Sequence, residues 1–165
     1  MTQTNKVLVV GSGIGGATAA YALRRAGLEV HCIDSKSATP TTGAGICLLH
    51  NTMRALATIG LADQCLDSGI AFEVFKQHDF TGRLLASNPA PPGCGMRRPE
   101  LARILEGAAA SAGALLERGL TISDLNDRGD KVEVTLSDGR QHEYDLVVAA
   151  DGAYSKLRDR VFGTD

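Results

Sequence analysis

The chain has 165 residues and a formal net charge of −2, with 44% hydrophobic and 22% charged residues. That is one domain's worth of chain, long enough to bury a core, and the near-neutral balance gives no electrostatic case for nucleic acid or an anionic membrane. Aromatic residues make up only 4% and Trp is absent, which argues against a platform that stacks single-stranded bases.

The N-terminus shows no signal-peptide pattern. Its only apolar run is Val7 to Val10, cut off by Gly11. This continuous β-branched stretch reads as a strand buried on both faces. A helix is predicted from near Ile14 to about Ala26, with Ala17, Ala20, Tyr21 and Arg24 on one face and Gly27 as its stop. Leu28 to Asp34 reads as a second strand, which makes a strand–helix–strand unit with parallel pairing and a right-handed crossover.

Residues 35 to 47 are rich in Ser, Thr, Gly and Pro and read as a loop. Asn51 is placed to cap a short helix with Met53, Leu56 and Ala57 on its apolar face, ended by Gly60. Leu61 to Leu66 adds a turn or two. Phe72 to His78 and Arg83 to Ser87 suggest a hairpin around Phe80-Thr81-Gly82, followed by a Pro/Gly-rich connection from Asn88 to Gly95. Pro99 suits the first turn of a helix striped by Leu101, Ile104, Leu105 and Ala108 and ended by Gly113. Ala114 to Glu117 reads as a short strand. Leu120 to Glu143 reads as an antiparallel meander, because Val132, Val134 and Leu136 alternate with polar residues. Asp145 to Ala150 returns to a buried strand.

No segment approaches the roughly 18 apolar residues of a membrane span. The four cysteines, Cys32, Cys47, Cys65 and Cys94, are widely spaced with no metal-ligand pattern. They read as buried reduced thiols of a cytoplasmic protein, and no metal is expected. His31, His78 and His142 have no nucleophile or carboxylate at a suggestive spacing, so no catalytic residue is assigned.

The first chemistry-bearing pattern is Gly11-Ser12-Gly13-Ile14-Gly15-Gly16, between a strand and a helix. Gly11 permits the tight turn, Gly13 lets backbone approach a pyrophosphate, and Gly16 lets the helix pack on the strand. The helix N-terminus offers unpaired N–H groups to phosphates. Asp34 ends the second strand, near the roughly 20-residue spacing expected of a ribose-binding acid, with Ser35 and Lys36 following. An acceptor there disfavours a 2′-phosphate. The unit does not separate NAD from FAD.

Three further segments share an order: Gly43-Ala44-Gly45-Ile46-Cys47-Leu48 leading into Asn51 to Gly60, Arg98-Pro99-Glu100-Leu101, and Asp145 to Arg158 with Asp151, Gly152, Ser155 and Arg158. Together with the glycine turn they resemble the N-terminal FAD-binding part of the single-component flavoprotein aromatic hydroxylases. These are the FAD- and NAD(P)H-dependent monooxygenases that include para-hydroxybenzoate and salicylate hydroxylases. The resemblance covers nearly the whole chain.

It implies an α/β, Rossmann-like FAD-binding fold: a parallel sheet with flanking helices and an inserted antiparallel β-meander, incomplete relative to the family. It implies FAD as cofactor, NAD(P)H as transient electron donor and a small aromatic substrate. Gly45 and Ile46 are expected along the flavin side, Arg98 at the FAD phosphate and ribityl region, Ile122 at the adenine, and Asp151 and Gly152 in a motif tied to both FAD and NAD(P)H. Asp34 stands where the family more often has Glu, and His50 where Pro is common.

The family's later Gly-Asp motif, substrate-binding sheet and C-terminal part have no counterpart in residues 1–165. The expectation is therefore a cofactor-binding portion, 1–165, inactive alone as a hydroxylase. It would come from a truncated protein, a split enzyme or a shortened gene product, and would meet a C-terminal fragment or itself through exposed apolar surface. The alternatives are another FAD-dependent oxidoreductase (a reductase or halogenase), an NAD-dependent dehydrogenase domain, or a non-catalytic nucleotide-binding module.

Overall fold

The structure, a computed structural model, describes residues 5–39 and 41–163. The chain divides into two compact units, one of Met1–Thr39 and Leu105–Asp165, the other of Pro40–Ile104.

The first unit begins with β1 (Lys6–Val10), α1 (Ile14–Arg25) and β2 (Glu29–Asp34), the strand–helix–strand unit that the sequence predicts. With β6 (Leu115–Arg118) and β10 (Leu146–Ala149) these strands form a four-stranded parallel sheet in the order β10-β1-β2-β6. The meander is β7 (Ile122–Asp127), β8 (Val132–Leu136) and β9 (Gln141–Tyr144), an antiparallel sheet of its own.

β1 is buried on both faces because each face has a partner. Val7 and Val9 pack with Ala20 of α1 and with Ala109. Leu8 and Val10 pack with Val134, Leu136 and Tyr144 of the meander and with Leu157 of α5 (Lys156–Phe162). The unit is thus three layers, helix on parallel sheet on meander, each layer covering an apolar face of the next.

β10 departs from the sequence reading. It was expected to be buried, yet Leu146 and Ala149 are exposed. It is the edge strand of its sheet, with β1 on one side only.

The second unit holds β3 (Gly45–Leu48), α2 (His50–Thr58), α3 (Ala62–Ser68), β4 (Ile70–His78), β5 (Leu84–Arg97) and the start of α4 (Arg98–Ser111). Its sheet is antiparallel in the order β3-β5-β4. Three sequence readings are corrected here. Gly45 to Cys47, assigned to a loop, begins strand β3, which pairs with β5 from Gly45↔Arg97 to Leu48↔Cys94. Asn88 to Gly95, read as a connection, continues β5. Its prolines are tolerated because β3 pairs only with Cys94 to Arg97, which leaves the proline segment an edge toward that side. Pro91 and Pro92 fall in an irregularity between the pairs Phe72↔Gly93 and Val74↔Pro89. Asn51 does not cap α2. The cap position is Leu49, Asn51 lies inside the helix, and of its predicted apolar face Met53 and Leu56 are buried while Ala57 is exposed.

Candidate functional site

The two glycine-bearing segments, far apart in sequence, meet in the first unit. β1 and β10 run parallel and side by side, with Ala150 N–H donating to the Val10 carbonyl at 2.8 Å. Their carboxyl ends therefore deliver Gly11 and Asp151 to the same place, the edge at which open α/β sheets bind ligands.

The contact is tight. A methyl group added at Gly11 would lie 2.3 Å from the Ala150 carbonyl oxygen, and one at Gly16 would lie 1.7 Å from the Gly11 oxygen. Gly11 also has φ of +100°, which a side chain would strain. Gly13 is different, because an added methyl there meets nothing within 4 Å. So Gly11 and Gly16 are required by the protein's own packing, while the space at Gly13 is left open. Gly13 is also the cap position of α1 and has no side-chain cap, so the first N–H groups of the helix are left for an incoming acceptor. This is a cradle that fits a pyrophosphate.

Asp34 borders the turn. Its Oδ2 accepts from the Ser12 N–H at 2.8 Å and its Oδ1 from the Lys36 N–H at 2.8 Å. The carboxylate is thereby fixed at the end of β2, with a lone-pair direction open on Oδ1, while the Ser12 hydroxyl lies 3.2 Å from Oδ2 as a further donor. Ser35 and the Lys36 side chain are exposed. Leu120 N–H donates to the Asp34 carbonyl and Gly119 N–H to that of Lys36, so this loop lies along 34–36. Ile122 follows in β7, paired with Leu136 and packed on the meander-side core. Burial, and then the nearby charges of Asp34 and Glu106, push the Cys32 thiol up to about 12. It is not a nucleophile.

Asp151 is held from the far side. Its Oδ1 accepts from the Ser155 hydroxyl at 2.5 Å and its Oδ2 from the Leu157 N–H at 3.2 Å. Ser155 in turn caps α5 by accepting from the Arg158 N–H at 3.0 Å, and the Arg158 guanidinium donates to the Ala153 carbonyl. Burial pushes the Asp151 carboxyl up, but these hydrogen bonds outweigh it and hold the group below its ordinary value. Asp151, Gly152, Ser155 and Arg158 thus form one closed turn. Gly152 supplies a φ of +94° within it.

Gly45, Ile46 and Arg98 belong to the second unit. Gly45 and Ile46 pair with Arg97 and Met96, and the Arg98 N–H donates to the Ala44 carbonyl at 3.1 Å. The Arg98 side chain is exposed at the start of α4.

Sequence reasoning missed Glu106 and Arg118, which stand beside Ser12 and Asp34. Arg118 pairs with Glu106 at 2.5 Å, and Glu106 Oε1 lies 3.2 Å from the Ser12 hydroxyl. The spacing carried no signal, because these partners come from α4 and β6, far along the chain. The four cysteines are free, and three are buried as expected, but Cys47 is exposed.

Comparison with known proteins places this geometry. Residues 4–163 match the family described as "FAD binding domain". The chain is 37% identical over 158 residues to 2-heptyl-3-hydroxy-4(1H)-quinolone synthase of Mycobacteroides abscessus, covering 93% of this chain and 41% of that protein. It is 29% identical over 175 residues to 6-hydroxynicotinate 3-monooxygenase of Pseudomonas fluorescens, covering 100% of this chain and 45% of that one. Among solved structures it superposes on 2-methyl-3-hydroxypyridine-5-carboxylic acid oxygenase with a TM-score of 0.84 at 29% identity, covering 97% of this chain and 43% of the other. The p-nitrophenol 4-monooxygenase of Pseudomonas putida, at 21% identity and a TM-score of 0.86, shares the fold over 98% of this chain and 44% of its own. The chain thus spans less than half the length of the relatives it matches. Among the described residues no helix is long and apolar enough to cross a membrane.

Proposed function

The chain belongs to the FAD-binding-domain family of FAD-dependent monooxygenases, and from that membership we propose that it is the FAD-binding portion of an enzyme that hydroxylates an aromatic substrate with NAD(P)H and O2. The observation that carries the reading is the meeting of the open Gly13 cradle with the Asp151 turn at the paired ends of β1 and β10.

The residues divide the work of binding. Backbone from Gly11 to Gly16, with Ser12, Ile14 and Gly15, receives the pyrophosphate through N–H groups at the start of α1. Asp34 accepts from ribose hydroxyls, with Ser35 and Lys36 at its margin. Ile122 is proposed at the adenine, and Asp151 and Gly152 at the turn that faces the cofactor and the transient NAD(P)H. Arg98 is proposed to grip phosphate oxygens through paired N–H donors, with Gly45 and Ile46 on the flavin side. When bound, FAD supplies the capacity to store two electrons from NAD(P)H and to react with O2. The protein's part is to hold and orient it and to exclude water. The exposed apolar side chains of the β4–β5 hairpin, Val74, Phe75, Leu84 and Leu85, are proposed to meet a C-terminal part or a second copy.

The test is a binding titration on the purified, folded chain. FAD is expected to bind with quenching of its fluorescence, and NAD to bind far more weakly. NAD binding without FAD binding would overturn the cofactor assignment in favour of a dehydrogenase or nucleotide-sensing domain. Assay of the protein with aromatic substrates then separates hydroxylation from a saturated or halogenated product.

A further inference from the structure

We infer that Glu106 is a positioning residue for nucleotide binding: it draws the Ser12 hydroxyl away from Asp34 and so keeps the Asp34 carboxylate open to the ribose. The inference rests on the FAD reading above.

Asp34 already accepts one backbone N–H on each oxygen, from Lys36 on Oδ1 and from Ser12 on Oδ2. One lone-pair direction remains on each, which suits a diol. The Ser12 hydroxyl competes for the one on Oδ2. It lies 3.2 Å from Asp34 Oδ2 and also 3.2 Å from Glu106 Oε1, and it has a single proton to give. If that proton goes to Asp34, Oδ2 is saturated. If it goes to Glu106, Oδ2 stays open. Ser12 is buried, so water does not offer its hydroxyl a third choice.

Glu106 is held in place for this competition. The Arg118 guanidinium pairs with Oε1, and donates as well to the Thr39 hydroxyl at 2.7 Å. That hydroxyl in turn donates to Glu106 Oε2 at 2.6 Å. Arg118, Thr39 and Glu106 thus close a ring that fixes the Glu106 carboxylate in place while most of its surface is buried. Arg118 reaches it because β6 pairs with β2 in the register Asp34↔Arg118. The ring meets the glycine turn at Ser12, where Glu106 Oε1 lies 3.2 Å from the hydroxyl.

The test is a double-mutant cycle on the full chain, read as the Kd for FAD by fluorescence quenching, with apo melting temperatures as the check on folding. Glu106→Gln removes the charge, and its amide can turn an N–H toward Ser12 and send the hydroxyl proton to Asp34. It is expected to weaken FAD binding about tenfold, the size of one hydrogen bond to a charged acceptor. In a Ser12→Ala background there is no hydroxyl to misplace. The same substitution should then change Kd by less than about twofold, whatever Ser12→Ala does alone. Glu106→Asp keeps a charge beside Arg118 but shortens the reach to Ser12. It is expected to show the same Ser12-dependent loss, and it replaces Glu106→Gln if that variant does not fold. Equal losses in both backgrounds would mean that Glu106 merely supports the fold, and no loss in either would mean that Ser12 never competes; both outcomes overturn the inference. Failure of the wild-type chain to bind FAD at all would instead overturn the reading on which it rests.

Discussion

Gly13 and Gly16 sit three residues apart and answer to different demands. At Gly16 a methyl group would collide with the Gly11 carbonyl oxygen at 1.7 Å, and that neighbour is backbone pinned by the Gly11 N–H to the Ile33 carbonyl. Gly16→Ala is therefore expected to cost at least ~3 kcal/mol of stability, the upper range of overpacking penalties, or to prevent folding. At Gly13 the same methyl group meets nothing, and φ of −62° suits any residue. Gly13→Ala should fold with a melting temperature near that of the wild type, yet lose FAD affinity by about tenfold or more, because the methyl fills the space in which backbone would approach a phosphate. Thermal melts and FAD titrations on the two variants check the contrast. Full FAD affinity in Gly13→Ala would show that the pyrophosphate lies elsewhere. A fingerprint read from spacing alone treats the two glycines alike, and only the contacts separate the one the fold needs from the one the ligand needs.

At the scale of elements, α5 shows how a short helix is held by its first turn. It has seven residues, too few to persist without help from its surroundings. Ser155 caps it and at the same time donates to Asp151, so one hydroxyl ties helix, turn and the end of β10 together. Ser155→Ala is expected to cost ~1 kcal/mol, the usual worth of a lost cap, and to raise hydrogen exchange at the Arg158 N–H more than at β1 amides. Uniform protection in the variant would show that the cap is dispensable.

Elements with strong periodicity were legible in the sequence. β1, α1, β2, the α4 stripe and the meander all appear where apolar spacing puts them. The sequence also singled out Gly11, Asp34 and Asp151, which the structure puts at the carboxyl ends of β1, β2 and β10. β3 and most of β5 were not legible. Gly45 of β3 and Pro89 to Gly95 of β5 carry turn chemistry, and strandedness there comes from pairing with distant segments rather than from local preference. Glu106 and Arg118 were illegible for the same reason, since their meaning depends on a register between β2 and β6 that no local pattern states.

At the scale of the whole molecule, acid is the perturbation that tests how the parallel sheet and the meander are joined. His31 is buried between them. Its Nδ1 lies 2.6 Å from the Tyr144 hydroxyl on β9, and its Nε2 is 2.7 Å from a Glu117 carboxylate oxygen on β6. Arg140 pairs with Glu117, His142 stacks edge-on to His31, and Lys6 of β1 lies over the Tyr144 ring. Burial lowers the His31 pKa, Glu117 opposes it, and His142 and Arg140 lower it further, so the folded chain takes up this proton less readily than the unfolded one. Stability should therefore fall as pH drops below the unfolded value of about 6.5, by at most ~1.4 kcal/mol per pH unit for one proton, and level off once the folded group also titrates.

Asp145 acts later. It accepts hydrogen bonds from Lys131 and from the Lys6 and Asn5 N–H groups, which hold its carboxyl down to about 2 and clamp the start of β1 to the start of β10. Its contribution is complete above an unfolded value of about 3.9 and is lost as pH falls from there toward 2. Urea midpoints from pH 8 to pH 2.5 should accordingly fall in two stages. His31→Gln is expected to flatten the first stage and leave the second, and Asp145→Asn to lower stability at neutral pH and flatten the second. A wild-type curve level from pH 7 to pH 5, or one that His31→Gln leaves unchanged, would mean that His31 is solvated and charged and that the seam between the sheets is carried by Leu8, Val10, Leu136 and Tyr144 alone.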